Sequence, residues 1–276
     1  MKKLVLALTA VAAFTGSALA ADMAPRYSKA PPPPPVAVVN WTGCYVGGGG
    51  GYGLFNQEST LFRDPPQVPV RTQATLTTTE GGRGYFGTVQ GGCDYQFAVG
   101  SWNLVVGGFA DYDFSDLKAN VAPGGFGLYG QQKASDAWAA GGRIGVLVTP
   151  SLLTYFSAGY TEAKFDRTNL NLVVFPGGGA PNPATNFVDG QRFKGWFLGA
   201  GDEYALGFLP GLFWKTEYRF SRFDTVDPRP IQTIPGQVSA LGGQPFSFAT
   251  KEYTHTVRSE LVYRFNWGGG GVVAKY

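Results

Sequence analysis

Residues 212–221 follow a two-residue period that sorts them into two chemically opposed surfaces. Trp214, Thr216, Tyr218 and Phe220 fall on one parity, and Phe213, Lys215, Glu217 and Arg219 on the other. Successive side chains of a strand point to opposite faces, so the run reads as a strand with an apolar side and a charged side. Residues 253–266 repeat the pattern, with Val257, Ser259, Leu261, Tyr263 and Phe265 set against Arg258, Glu260, Val262, Arg264 and Asn266. In residues 84–97, Val89, Gly91, Cys93, Tyr95 and Phe97 oppose Thr88, Gln90, Asp94 and Gln96. A sheet of such strands needs an apolar medium on one face and an enclosed home for charge on the other.

Eight such runs follow residue 40: 41–55, 84–97, 102–114, 136–149, 152–165, 193–206, 212–221 and 253–266. The gaps alternate in length. Long ones cover 56–83, 115–135, 166–192 and 222–252; short ones are Ala98 to Ser101, Pro150-Ser151 and Gly207 to Gly211. Tight turns at one end and long connections at the other predict an all-β fold, an eight-stranded antiparallel up-and-down transmembrane β-barrel with four long extracellular loops. The rival is a soluble β-sandwich, which would have to bury Asp111, Arg143, Glu203, Lys215, Glu217, Arg219, Arg258, Glu260 and Arg264 in its core. An apolar core does not hold those nine charges, and inverting the faces would give water a wide aromatic belt instead. Glycine and mixed residues leave the faces of the first and fifth runs unassigned.

The N-terminus places the chain in the right compartment. Lys2 and Lys3 precede the apolar run Leu4–Phe14 and then Ala18-Leu19-Ala20, the three parts of a secretory signal peptide. Eleven apolar residues are too few for a membrane helix, which needs about 20. Residues 1–20 are therefore expected to be removed, with Ala21 leading the mature chain. Residues 21–40, with Pro25 and Pro31 to Pro35, read as an extended periplasmic tether, and residues 41–276 as the barrel. Loss of the two lysines lowers the formal charge from +3 to +1, which excludes the basic field of a nucleic-acid binder. Charged residues are 15% of the chain against about 25% in soluble domains, as expected where one face of every strand meets lipid.

Trp41-Thr42-Gly43-Cys44-Tyr45-Val46-Gly47-Gly48 after a proline-rich tether resembles the opening strand of the small outer-membrane β-barrel proteins of alphaproteobacteria. So do Gly199-Ala200-Gly201 with Glu203-Tyr204, Lys215-Thr216-Glu217-Tyr218, and the closing Tyr263-Arg264-Phe265-Asn266-Trp267 with Val272 to Tyr276. That family is often grouped with porins and is related to the membrane domain of outer membrane protein A. The resemblance implies an abundant surface-exposed envelope protein without catalytic residues. Two positions depart from it: Cys44 stands where an aromatic is usual, and Asp202 falls on the lipid-facing parity.

Apparent chemical motifs weaken on inspection. Gly48, Gly50 and Gly53 fit G-x-G-x-x-G, but a dinucleotide site needs a buried strand before it and a helix after it. His255 is the only histidine, and Ser259 lies four residues along a strand, about 13 Å away, beyond any Ser–His hydrogen bond. No catalytic role, cofactor or metal is therefore expected. Cys44 and Cys93 lie near the tight-turn ends of adjacent strands in an oxidising compartment. They are expected either to form a disulfide or to remain two separate small side chains, since the face of Cys44 is unassigned. The nine inward charges are expected to cross-link one another, and pairs such as Glu217 with Arg258 or Arg264 are geometrically available across neighbouring strands. The expected role is structural, in the cell outer membrane, with a narrow porin-like pore for small solutes or ions as the alternative. Expected partners are outer-membrane lipids and lipopolysaccharide, the barrel-assembly machinery, and host, phage or other surface ligands at the loops, where Phe175 to Gly179 and Asp227 to Pro230 lie.

Overall fold

The computed structural model describes residues 39–64, 71–122, 128–172, 186–224, 226–233, 240–241 and 244–265. The expected signal (1–20), most of the tether (21–40), Phe175 to Gly179 and residues 266–276 lie outside them.

Eight long strands carry the fold: β1 (Gly43–Arg63), β2 (Thr78–Val99), β3 (Trp102–Val121), β4 (Leu128–Thr149), β5 (Leu152–Phe165), β6 (Gln191–Ala205), β7 (Leu212–Phe223) and β8 (Gln244–Phe265). All pairings are antiparallel. Each strand bonds its neighbours in sequence from β1 to β8, and β8 also bonds β1. The turns after β2 and before β7 use Gly100 at φ +61° and Gly211 at φ +83°, a left-handed backbone that a Cβ disfavours.

The long gaps are not loops throughout, which corrects the expectation of four long loops. β1 runs on to Arg63, β2 begins at Thr78, β3 reaches Val121, and β4 and β8 begin at Leu128 and Gln244. Short strands Thr168–Leu172 and Asn186–Val188 extend the sheet further beside β4. The reason is a change of medium along each strand. Near the tight turns, apolar residues point outward and charges inward. Towards the long connections the same parity carries the reverse, with Phe55, Leu61, Leu117, Phe165, Phe193 and Phe223 inside and Asn56, Glu58, Lys118, Lys164 and Lys194 outside. A search for charge-in, apolar-out alternation stops where water replaces lipid.

The two unassigned faces are resolved. In β1, Cys44, Val46, Tyr52 and Leu54 point outward while Tyr45 and Phe55 are buried. In β5, Phe156 and Tyr160 point outward, whereas Tyr155 is buried because its hydroxyl donates to Glu217 at 2.8 Å.

The buried face is layered. At the tight-turn end, Trp41, Tyr45, Val105, Phe109, Leu153 and Phe213 belong to one apolar cluster. At the far end, Phe55, Leu61, Phe165, Phe193, Phe223 and Phe246 belong to a second, larger one. The buried charges lie between and against these clusters.

Candidate functional site

The nine charges of the sequence argument are all buried on the inner face of the sheet, together with Asp94, Asp113 and Glu252. Nearest the tight turns, Arg264 (β8) bonds Asp94 (β2) at 2.6 Å and Glu203 (β6) at 2.6 Å. Arg143 (β4) reaches the same two carboxylates at 2.5 and 2.8 Å. Aromatic rings wall this square, Arg143 lying 4.8 Å from the Tyr45 ring centre and Arg264 5.0 Å from Trp41. A step further along, Lys215 (β7) contacts Gln90 at 2.8 Å, Glu260 at 3.4 Å and Glu217 at 3.5 Å, and Gln90 donates to Glu260. Beyond that, Arg219 bonds Asp111 and Glu217, each at 2.8 Å, while Arg258 meets Asp113 at 3.0 Å and Asp111 at 3.4 Å. A cavity of only about 40 Å³ lies beside Asp113, Arg219 and Arg258 and beneath Phe165 and Phe223.

One expectation is corrected here. Glu217 and Arg258 are direct register partners, yet the ion pairs of Glu217 are with Lys215 and Arg219 on its own strand. Arg258 is drawn towards Asp111 and Asp113, and Arg264 is held by Asp94 and Glu203. Two acids the inward count missed were within reach of parity. Asp94 lies on the polar face already recognised in the second run, and Asp113 shares the parity of Asp111. Glu252 lies just before the point where the last run was expected to begin.

Cys44 and Cys93 are register partners in β1 and β2 and are joined by a disulfide on the outward face. Alkylation of denatured, unreduced protein should therefore find no reactive thiol, and two after reduction. Two thiols before reduction would contradict the bond. Asp202 points outward close to the tight-turn end and accepts from Thr154 Oγ1 at 2.6 Å. His255 meets the Tyr218 hydroxyl through Nδ1 at 2.7 Å, while Ser259 Oγ accepts from Trp214 Nε1 at 2.8 Å. Gly48, Gly50 and Gly53 sit inside β1, which continues as strand to Arg63.

The outer face is the complement of this interior. Val46, Val89, Val106, Ile144, Phe156 and Leu198 are exposed, Phe156 to 70%, at the height of guanidinium groups that are almost completely buried. Aromatics bound this belt on both sides, with Tyr95, Trp102, Tyr204, Tyr263 and Phe265 towards the tight turns and Tyr52, Tyr85, Phe114, Tyr160 and Trp196 towards the far end. Burying charge while exposing aliphatic and aromatic surface inverts the rule for a protein surrounded by water. It is the arrangement of a sheet that meets lipid, with aromatic girdles at both interfaces.

No protein-family model matches the chain. It is 30% identical over 271 residues to the 31 kDa outer-membrane immunogenic protein of Brucella melitensis biotype 1, a match covering 96% of this chain and 100% of that protein. The protein of the same name from Brucella suis biovar 1 matches equally. Among solved structures, Neisserial surface protein A aligns over 78% of this chain and 97% of its own at 12% identity, with a TM-score of 0.31. The attachment invasion locus protein of Yersinia pestis aligns over 79% and 99% at 8% identity, with a TM-score of 0.28. Overlaps this loose carry no weight for function. The full-length match to the Brucella proteins does: this chain belongs to the family of the 31 kDa outer-membrane immunogenic protein and resides in the outer membrane of a Gram-negative cell.

Proposed function

We propose that the chain is a closed eight-stranded barrel whose sealed interior anchors a water-facing crown above the membrane, and that its role is structural, presenting the long connections for external contacts. Closure is supported by the strand register. Following paired residues from Val46 through Gly91, Ala110, Ala140, Tyr160, Trp196, Arg222 and Tyr253 returns to β1 at Asn56, ten residues higher. Eight strands leave an interior just wide enough for side chains to fill. The observation that carries the reading is the filling itself: an apolar layer, a belt of paired charges and a second apolar layer. A narrow pore would need a continuous wet path through all three, and the 40 Å³ cavity beside Arg258 holds only a few waters. The relation to the membrane domain of outer membrane protein A, assembly by the barrel-assembly machinery, and contacts with host, phage or other surface ligands belong to the same reading, as does the absence of catalysis.

Residues 1–20 are the removed export signal and residues 21–40 the periplasmic tether in this account. The mature protein should fractionate with the outer membrane, with a mass corresponding to a start at Ala21. Protease added to whole cells should cut only within 56–83, 115–135, 166–192 and 222–252. Cleavage at the tight turns, or recovery from the soluble periplasm, would overturn the proposed orientation.

A further inference from the structure

We infer that the outer face carries a binding groove for a phosphorylated saccharide headgroup of an outer-leaflet glycolipid, centred on Arg83 and Lys118. The inference rests on the transmembrane reading above.

Charge on the outward face is distributed unequally between the two rims. At the tight-turn end, among the described strand residues, Asp202 is the one outward charge. At the far end, seven of the eight strands carry an outward cation two to five residues beyond an aromatic of the same strand. Arg83 follows Tyr85 in this way, Lys118 follows Phe114, Lys133 follows Trp138, and Lys164 follows Tyr160. Lys194 stands beyond Trp196, Arg222 beyond Phe220 and Lys251 beyond Tyr253, and Arg192 adds an eighth cation. Aromatic girdles mark the interface, so this collar sits where the headgroups of the outer leaflet begin.

The collar is built against its own electrostatics. Arg83 lies directly opposite Lys118, Lys118 opposite Lys133, and Lys164 opposite Arg192. Like charges facing each other across strands are destabilising unless an anion lies between them. Acids at the same height neutralise part of the set. Asp116 contacts both Lys118 and Lys133 at 3.0 Å, and Asp136 holds Arg192 at 3.0 Å. Glu162 and Asp224 also lie at this level, Glu162 accepting from Tyr160 and Trp138. Lys194 and Lys251 stand directly opposite Glu162 and Glu58, whereas among the described residues no ion pair reaches Arg83 or Arg222.

A second observation selects one place on the collar. A surface groove of about 490 Å³ runs over Gly81 across β1 to β4 and the edge of β8, lined by Arg83, Lys118, Asn56, Asn120, Gln131 and His255. Two cations suit a phosphate, and three amides suit the hydroxyls and carbonyls of a sugar. The groove opens because residue 81 has no side chain: a Cβ there would approach Asn56 Oδ1 to 3.3 Å. Its edge carries Leu54, on the outward face of β1. An amphiphile with its acyl chains on the wall below and its phosphorylated sugar in the groove satisfies both halves.

The test uses the mature protein inserted in phosphatidylcholine nanodiscs, with lipopolysaccharide or its enzymatically dephosphorylated form as the probe. Insertion is scored first, by heat-modifiable gel mobility. The wild type should bind lipopolysaccharide and lose most of that affinity when the phosphates are removed. A cation near an anionic surface contributes about 1 kcal/mol, so Arg83→Gln with Lys118→Gln should weaken binding by about 30-fold, at ~1.4 kcal/mol per tenfold. Gly81→Leu, which fills the groove without altering charge, should weaken it too, whereas Lys251→Gln, outside the groove, should change it less than about threefold. Equal binding of the dephosphorylated form, or of both groove variants, by inserted protein would overturn the groove alone. Competition by free inorganic phosphate as strong as that by the lipid would also overturn it, by making the site one for soluble anions. Failure of the wild type to insert would overturn the transmembrane reading, and the groove with it.

Discussion

Glu203→Ala should lower the unfolding free energy of the inserted protein by about 3–5 kcal/mol, the range for breaking a buried ion pair by removing one partner. Glu203 is fully buried and accepts from both Arg143 and Arg264. Its loss leaves those two guanidinium groups to share Asp94, which already bonds each of them, inside a wall of Tyr45, Trp41 and Phe213. These buried rings keep water from screening the excess charge. Glu203→Ala combined with Arg264→Met removes both members of one pair and should recover part of the loss, because the penalty comes from the unmatched charge. Urea titration of protein in lipid vesicles, followed by tryptophan fluorescence, measures both. A single-variant change under about 1 kcal/mol would show that water reaches this square.

Phe165→Ala should cost about as much, roughly 3–5 kcal/mol, but in a different place. The Phe165 ring is completely buried in the far cluster, edge-on to Phe55 at 5.5 Å and to Phe193 at 5.3 Å between centroids. Outside this half of the sheet are Lys164, Lys194 and Asn56, so it is held together as a water-soluble core would be. Truncating the ring should loosen the crown while the paired charges of the belt beneath it keep the membrane part inserted. The expected result is faster protease cutting in 56–83 and 166–192 with unchanged outer-membrane yield. Loss of insertion together with protease sensitivity would mean that crown and anchor unfold as one unit.

The parts of the fold that were legible in the sequence were those where lipid imposes a strict code. Lys215, Glu217 and Arg219 against Trp214, Tyr218 and Phe220 identify a strand, its faces and its surroundings at once, since no other medium tolerates that division. The tight turns at Pro150-Ser151 and Gly207 to Gly211 follow from the same reading. Legibility ended where the code did. In β1 the run Gly47 to Gly51 has no side chains to sort, and in β5 Tyr155 and Phe156 are both aromatic although one faces a carboxylate and the other lipid. The strand extensions from Asn56 to Arg63 and from Thr78 to Arg83 obey the opposite, water-exposed code, so apolar-out alternation does not mark them as strand. Pairing within the belt was the least accessible. Parity places a charge on the inner face, but a guanidinium long enough to cross the interior chooses among several carboxylates, as Arg264 does in bridging Asp94 and Glu203 rather than reaching Glu217.

The central claim, that the interior is filled and sealed, is tested most directly by single-channel recording of the refolded protein in planar bilayers, alongside Glu217→Ala. Glu217 is held by Lys215, Arg219 and the Tyr155 hydroxyl at the middle of the belt. Removing it leaves Lys215 with Glu260 and Arg219 with Asp111 as their remaining carboxylate partners, so positive charge is in excess, and it opens a gap between the apolar layers. The account predicts a wild type without steady openings and a variant with small, frequent leak events. Steady porin-like conductance in the wild type, unchanged by Glu217→Ala, would contradict it.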